Sequence, residues 1–158
     1  MALRILTISF LIVTTLSRSI HKLSTAVPSF RGERDLSPEF NVVWEVFEEE
    51  KSIAFTVRVK TVGWIEFGIS DPNAKNRSDG ILGGVKDGEP YFDDYHFSFD
   101  TTPLKDQSQD WTLTDANEKD GITTLSFWRK FNTRDDREDV IIKCTVAIKG
   151  LRIRAYSV

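Results

Sequence analysis

In the stretch Ser52-Ile53-Ala54-Phe55-Thr56-Val57-Arg58-Val59-Lys60, the side chains of Ile53, Phe55, Val57 and Val59 fall on one face, and those of Ser52, Ala54, Thr56, Arg58 and Lys60 on the other. A repeat of two residues is the mark of a strand half-buried against a core. Similar runs occupy Asn41 to Phe47, Gly63 to Ser70, Ile81 to Lys86, Tyr91 to Phe99, Asp110 to Thr114, Ile122 to Phe131 and Val140 to Ile148. Turn-forming clusters separate them at Glu48 to Lys51, Asp71 to Gly80, Asp87-Gly88, Thr101 to Gln109, Asn117 to Gly121 and Asn132 to Asp139. Short strands at this spacing, with no segment of helical period, predict an all-β antiparallel sandwich or barrel. Asp87-Gly88 suits a tight hairpin because glycine tolerates positive φ.

The 158 residues are 40% hydrophobic and 11% aromatic, which fits one domain with an aromatic-rich core. With 21 Lys and Arg against 24 Asp and Glu, the net charge of -3 does not suit a general nucleic-acid binder or a polybasic membrane-surface protein. One Cys, two His and one Met are too few for zinc, copper or haem sites that gather several soft or imidazole ligands.

Residues 1–19, MALRILTISFLIVTTLSRS, combine Arg4, an apolar run from Ile5 to Val13 and small residues near Ser17 and Ser19. That is the pattern of a secretory signal peptide, cleaved near Ser17 to Ser19. The run is too short for a spanning helix and no second one follows, so a secreted protein without a stable membrane span is expected. Residues 20–37, broken by Pro28 and Gly32, read as a loose lead-in, and residues 38–156 as the folded domain. Cys144 is alone and shares a strand face with Val140, Ile142, Val146 and Ile148, so a buried, inert thiol is expected and no intrachain disulfide can form.

Several groups invite a functional reading. Asp93, Asp94, Tyr95 and His96 could support proton transfer, but nothing supplies a nucleophile or oxyanion donors, and a strand-borne polar pair with a satisfied histidine is the simpler state. Asn76-Arg77-Ser78 is a glycosylation acceptor triplet in an expected loop. Glu48 to Glu50 and Arg134 to Asp139 read as solvated turns. Trp44, Trp64, Trp111 and Trp128 could stack on a sugar, yet each lies in a strand pattern, and core packing is the expected use of at least two.

The run Val62-Gly63-Trp64-Ile65-Glu66-Phe67-Gly68-Ile69-Ser70, followed in order by Ser78-Asp79, Gly83-Gly84-Val85, Asp87-Gly88, Tyr91-Phe92-Asp93-Asp94-Tyr95, Gln109-Asp110 and Phe127-Trp128-Arg129, resembles a DOMON domain. More narrowly it is similar to the N-terminal DOMON domain of dopamine β-hydroxylase-like, copper-dependent monooxygenases, over about Phe40 to Lys143. The resemblance implies an immunoglobulin-like β-sandwich.

It also suggests three ligands. Copper catalysis in those enzymes resides in separate domains rich in His and Met, so copper is not expected in this chain. The cytochrome-type DOMON haem ligands are a Met, replaced here by Lys75, and a later His, whereas no His follows His96; haem is therefore not expected. A calcium-like cation is expected, because the resemblance implies a site of two Asp side chains and main-chain carbonyls, and the matching positions are Asp79, Gly80, Tyr95 and Asp110. On the residues alone, Asp79 reads as a turn cap and Asp110 as a strand start; the resemblance favours the cation.

Arg134 stands where full-length relatives carry a tethering Cys. Two functions follow from the resemblance. One is a secreted, non-catalytic module that binds a cation and a partner protein or small ligand; the other is a regulatory or electron-handling component, or a truncated form, of a copper-dependent monooxygenase.

Overall fold

The computed structural model describes residues 26–70, 78–97, 102–143 and, for the backbone, 152–157. The expected leader, Lys75, the sequon residue Asn76 and Cys144 lie outside the described residues. Ten strands follow one another: β1 (Phe30–Ser37), β2 (Phe40–Phe47), β3 (Ser52–Val59), β4 (Trp64–Ser70), β5 (Ser78–Lys86), β6 (Glu89–Phe97), β7 (Leu104–Lys105), β8 (Thr112–Lys119), β9 (Ile122–Lys130) and β10 (Arg152–Ser157). They form two five-stranded antiparallel sheets, ordered β1-β2-β3-β9-β8 and β10-β4-β5-β6-β7. No helix among the described residues is long and apolar enough to cross a membrane.

The inner faces follow from the alternation in the sequence. Ile53, Phe55, Val57 and Val59 of β3 are buried, as are Val42 and Val46 of β2 and Leu125 and Phe127 of β9. Ile65, Phe67 and Ile69 of β4 and Ile81 of β5 meet them from the other sheet. Phe55, Phe67, Phe127 and Trp111 form the aromatic centre, with Phe55 and Phe67 centroids 4.9 Å apart and Trp111 edge-on to Phe127 at 5.4 Å. Trp111 is buried and Trp44 packs against the core, in line with the expectation for two of the four tryptophans.

Four segments depart from the expected pattern. The supposed lead-in contains β1, paired along β2 from Phe30↔Val46 to Ser37↔Phe40. Its charged, mostly exposed side chains follow no apolar alternation because it is an edge strand, held by backbone pairing and by Leu36 on the core. β5 starts at Ser78, not Ile81, so Asp79 stands within a strand instead of in a turn. β8 runs to Lys119 but begins only at Thr112, and an Asp120-Gly121 pair with φ of 55° and 76° closes the hairpin to β9. Asp87-Gly88, with φ of 54° and 83°, makes the expected hairpin between β5 and β6. Finally, Val140 to Lys143 is not a strand: the Ile142 N–H bonds to the Phe131 carbonyl, and the Val140 backbone is drawn into the buried polar cluster of the core.

Candidate metal centre

The parity that buries Ile81 also buries Asp79 two residues earlier. Register pairs Asp79 with Ile69 on one side and His96 on the other, and Ile81 with Asp94. On the facing sheet, Arg129 continues the inward row Thr123, Leu125, Phe127. One end of the core is therefore ionic.

Asp79 is fully buried and its carboxylate is heavily engaged. Oδ1 accepts the indole N–H of Trp111 at 2.8 Å, and Oδ2 accepts the Val140 N–H at 2.9 Å and lies 2.8 Å from Arg129 Nη1. The same guanidinium nitrogen lies 3.1 Å from Asp139 Oδ2, the other donates to the Val140 carbonyl, and the group stacks 5.0 Å above the Trp111 ring. Asp139 is buried, which corrects its assignment to a solvated turn: the Asp135 side chain caps the backbone of Arg137 and Glu138 and folds the segment inward.

Asp94 completes the cluster. Its Oδ2 accepts the Asp110 N–H at 2.9 Å, while Oδ1 is buried without a hydrogen-bond partner. Gln109 explains the adjoining half of the Gln109-Asp110 pair: its amide carbonyl accepts the Asp94 N–H at 2.8 Å and its NH2 donates to the Asp94 and Asp106 carbonyls. This side chain extends the pairing of β6 just beyond the two-residue β7.

Asp79, Asp94 and Asp139 each offer an oxygen within 4.8 Å of the others. Burial pushes all three carboxyls up, Asp94 to about 8 and Asp139 to about 6, and each is raised further by a carboxylate neighbour. Arg129 pulls Asp79 and Asp139 down but supplies only one positive charge.

Of the four expected ligand positions, Asp79 is in this cluster. Gly80 follows it and pairs with Tyr95 across the β5–β6 register, and a Cβ on Gly80 would fall 2.0 Å from the Phe67 carbonyl, so only glycine fits this close approach to β4. Asp110 joins through its N–H on Asp94, and its half-buried side chain lines a surface groove with Glu50, Lys51, Trp128 and Lys130. Asp94 and Asp139 are the acidic partners that sequence reasoning passed over. His96 is the satisfied histidine expected, with Nδ1 against Asp106 Oδ1.

The DOMON domain family matches residues 36–149. The chain belongs to this family. The DOMON chain is 33% identical to MOXD1 homolog 2 of Drosophila melanogaster over 110 residues, 68% of this chain and 14% of that protein. It is 35% identical to DBH-like monooxygenase protein 1 of Gallus gallus over 97 residues, 61% of this chain and 16% of that protein. Against the Putative DBH-like monooxygenase protein 2 of Homo sapiens, identity is 34% over 122 residues, 75% of the DOMON chain and 24% of the relative. The matched region thus spans less than a quarter of each of these relatives.

Proposed function

We propose that this chain is a secreted, non-catalytic DOMON module that binds one calcium-like cation and presents the surface so ordered to a partner protein or small ligand. Asp79 is the central ligand, with Asp110 and the carbonyls of Gly80 and Tyr95 as its expected companions and Asp94 as an added carboxylate.

The observation that carries this reading is the buried acidic trio with an orphaned oxygen, Asp94 Oδ1. At neutral pH the raised Asp94 carboxyl holds a proton, since three ionised carboxylates around one guanidinium would leave a costly excess of buried negative charge, and a bound cation would take that proton's place. Calcium takes oxygen ligands at about 2.3–2.6 Å, so carboxylate oxygens that all lie within 4.8 Å of one another are close enough to share one such ion. Haem and copper have no part in this reading.

Thermal unfolding of the chelated protein, titrated with calcium, magnesium and sodium, tests it. A bound ion should stabilise the fold by about 2.7 kcal/mol when free ion is 100-fold above Kd. Asp94→Asn and Asp110→Asn should each blunt the response, and Asp110→Asn leaves the Arg129 ion pairs intact. No response of the wild type to any of the three ions would overturn the proposal.

A second reading, a regulatory or electron-handling component or truncated form of a copper-dependent monooxygenase, draws on the similarity to DBH-like monooxygenase proteins. An in-frame transcript continuing past Val158 into His-rich sequence would favour it.

A further inference from the structure

We propose a second metal site, for Zn2+ or a similar borderline divalent ion, formed by His96, Asp106 and Glu138. The three side chains come from β6, from the residue after β7 and from the segment that follows β9, and each offers a ligand atom within 4.8 Å of the others. This constellation is independent of the calcium reading, whose residues are all oxygen donors; an imidazole beside two carboxylates suits zinc, which takes such mixed sets and leaves a position for water. A single imidazole is enough for a site of this kind, so the scarcity of histidine does not exclude it.

One contact fixes the donors, and one unpartnered atom points to a ligand. His96 Nδ1 and Asp106 Oδ1 are already in direct contact, and the His96 N–H also donates to Asp106 Oδ1 at 3.0 Å, so both donors are fixed in place. Asp106 is 4% exposed, yet its second oxygen, Oδ2, is buried with no hydrogen-bond partner. His96 reaches only Oδ1, so Oδ2, desolvated and beside the like charge of Glu138, is the atom a metal ion would satisfy.

The third donor is held too. Glu138 Oε2 accepts the Gln107 N–H at 3.0 Å, and hydrogen bonds of this kind orient a metal ligand. His96 and Glu138 keep partial exposure, which leaves the ion a way in. Donors on one tetrahedral zinc lie about 3.3 Å apart, so for the ion to enter, His96 Nδ1 and Asp106 Oδ1 part from their direct contact and Glu138 turns toward them. The bound ion would tie the 132–139 segment to the sheet edge at β6 and β7.

Isothermal titration of the tag-free full chain with ZnCl2 tests this, using His21→Ala and Cys144→Ser throughout so that His96 is the sole imidazole and no thiol competes. One equivalent should bind. His96→Gln should weaken binding at least tenfold, and Glu138→Gln, which keeps an acceptor for the Gln107 N–H, should weaken it as well. Folding of each variant is checked by circular dichroism; if His96→Gln does not fold, Glu138→Gln decides. The calcium response, measured on the same samples, should persist in both variants, so failure of one site is separable from failure of the other. Absence of zinc binding in the parent, or equal binding in the folded variants, would overturn the proposal.

Discussion

Arg129 Nη1 stands 2.8 Å from Asp79 Oδ2 with both side chains wholly withdrawn from solvent, and the pair joins β9 of one sheet to β5 of the other. An ion pair in such a place does little for net stability compared with a good apolar packing, but breaking it leaves a naked charge.

Arg129→Met should therefore destabilise the fold by about 3–5 kcal/mol at neutral pH, because Asp79 and Asp139 both lose their counter-charge. Urea unfolding measures it. A loss within the 0.5 kcal/mol expected of a surface change would show that the guanidinium does not hold the carboxylates.

Stability of the chelated protein should fall as pH rises from about 4 to 8. The Asp94 carboxyl is raised from 3.8 to about 8 in the fold, so the folded chain keeps a proton that the unfolded chain releases in this window. That contribution is complete below the unfolded value and lost as pH climbs through the folded one, with a limiting slope of about 1.4 kcal/mol per pH unit. Asp139, raised to about 6, acts in the same direction. Urea midpoints at successive pH values should show the decline, Asp94→Asn should flatten it, and calcium should oppose it by favouring the ionised carboxylate. A midpoint that rises with pH in chelator would contradict the assignment.

Trp111→Phe keeps an aromatic ring against Phe127 but removes the indole N–H from Asp79 Oδ1. Hydrogen bonds to charged groups contribute about 1.5–3 kcal/mol, and a loss of that size is expected. In a double-mutant cycle with Asp79→Ala, which removes the acceptor, the two effects should couple; strict additivity would mean that the hydrogen bond contributes nothing.

Gly80→Ala should lower the melting temperature clearly, since the new methyl would lie 2.0 Å from the Phe67 carbonyl and backbone atoms must move. About 1–3 kcal/mol is the usual cost of forcing extra atoms into a packed site. Gly80→Ala with an unchanged melting temperature would show that β4 and β5 can part at no cost.

Much of the sandwich was legible because an apolar face repeats every second residue, and β3 carries that signal without interruption. β1 carried none, since a charged edge strand is held by its backbone alone. The ionic end of the core was legible only by parity. Asp79 shares a face with Ile81, Asp94 with Phe92 and Arg129 with Phe127, so counting by twos places all three inward, but their charge argues for solvent. Asp139 offered no such parity. Its burial depends on a turn around Asp135, and on the Arg129 guanidinium waiting for it, neither of which local pattern discloses. The Gln109-Asp110 pair was recognisable as a motif, whereas its purpose, clasping the backbone and carboxylate of Asp94, needed coordinates.

The order of the second sheet carries a consequence for synthesis. β10 (Arg152–Ser157) is the partner of β4 (Trp64–Ser70), so one flank of β4 stays unclosed while everything between them is translated. At 5–20 residues per second that interval lasts roughly 4–16 s. During it, the nascent chain displays a row of free backbone groups beside Ile65, Phe67 and Ile69, the kind of edge to which a stray strand adds. A ribosome that stalls in this window leaves a sheet without its last strand, and a chaperone that shields extended apolar segments would find its substrate there.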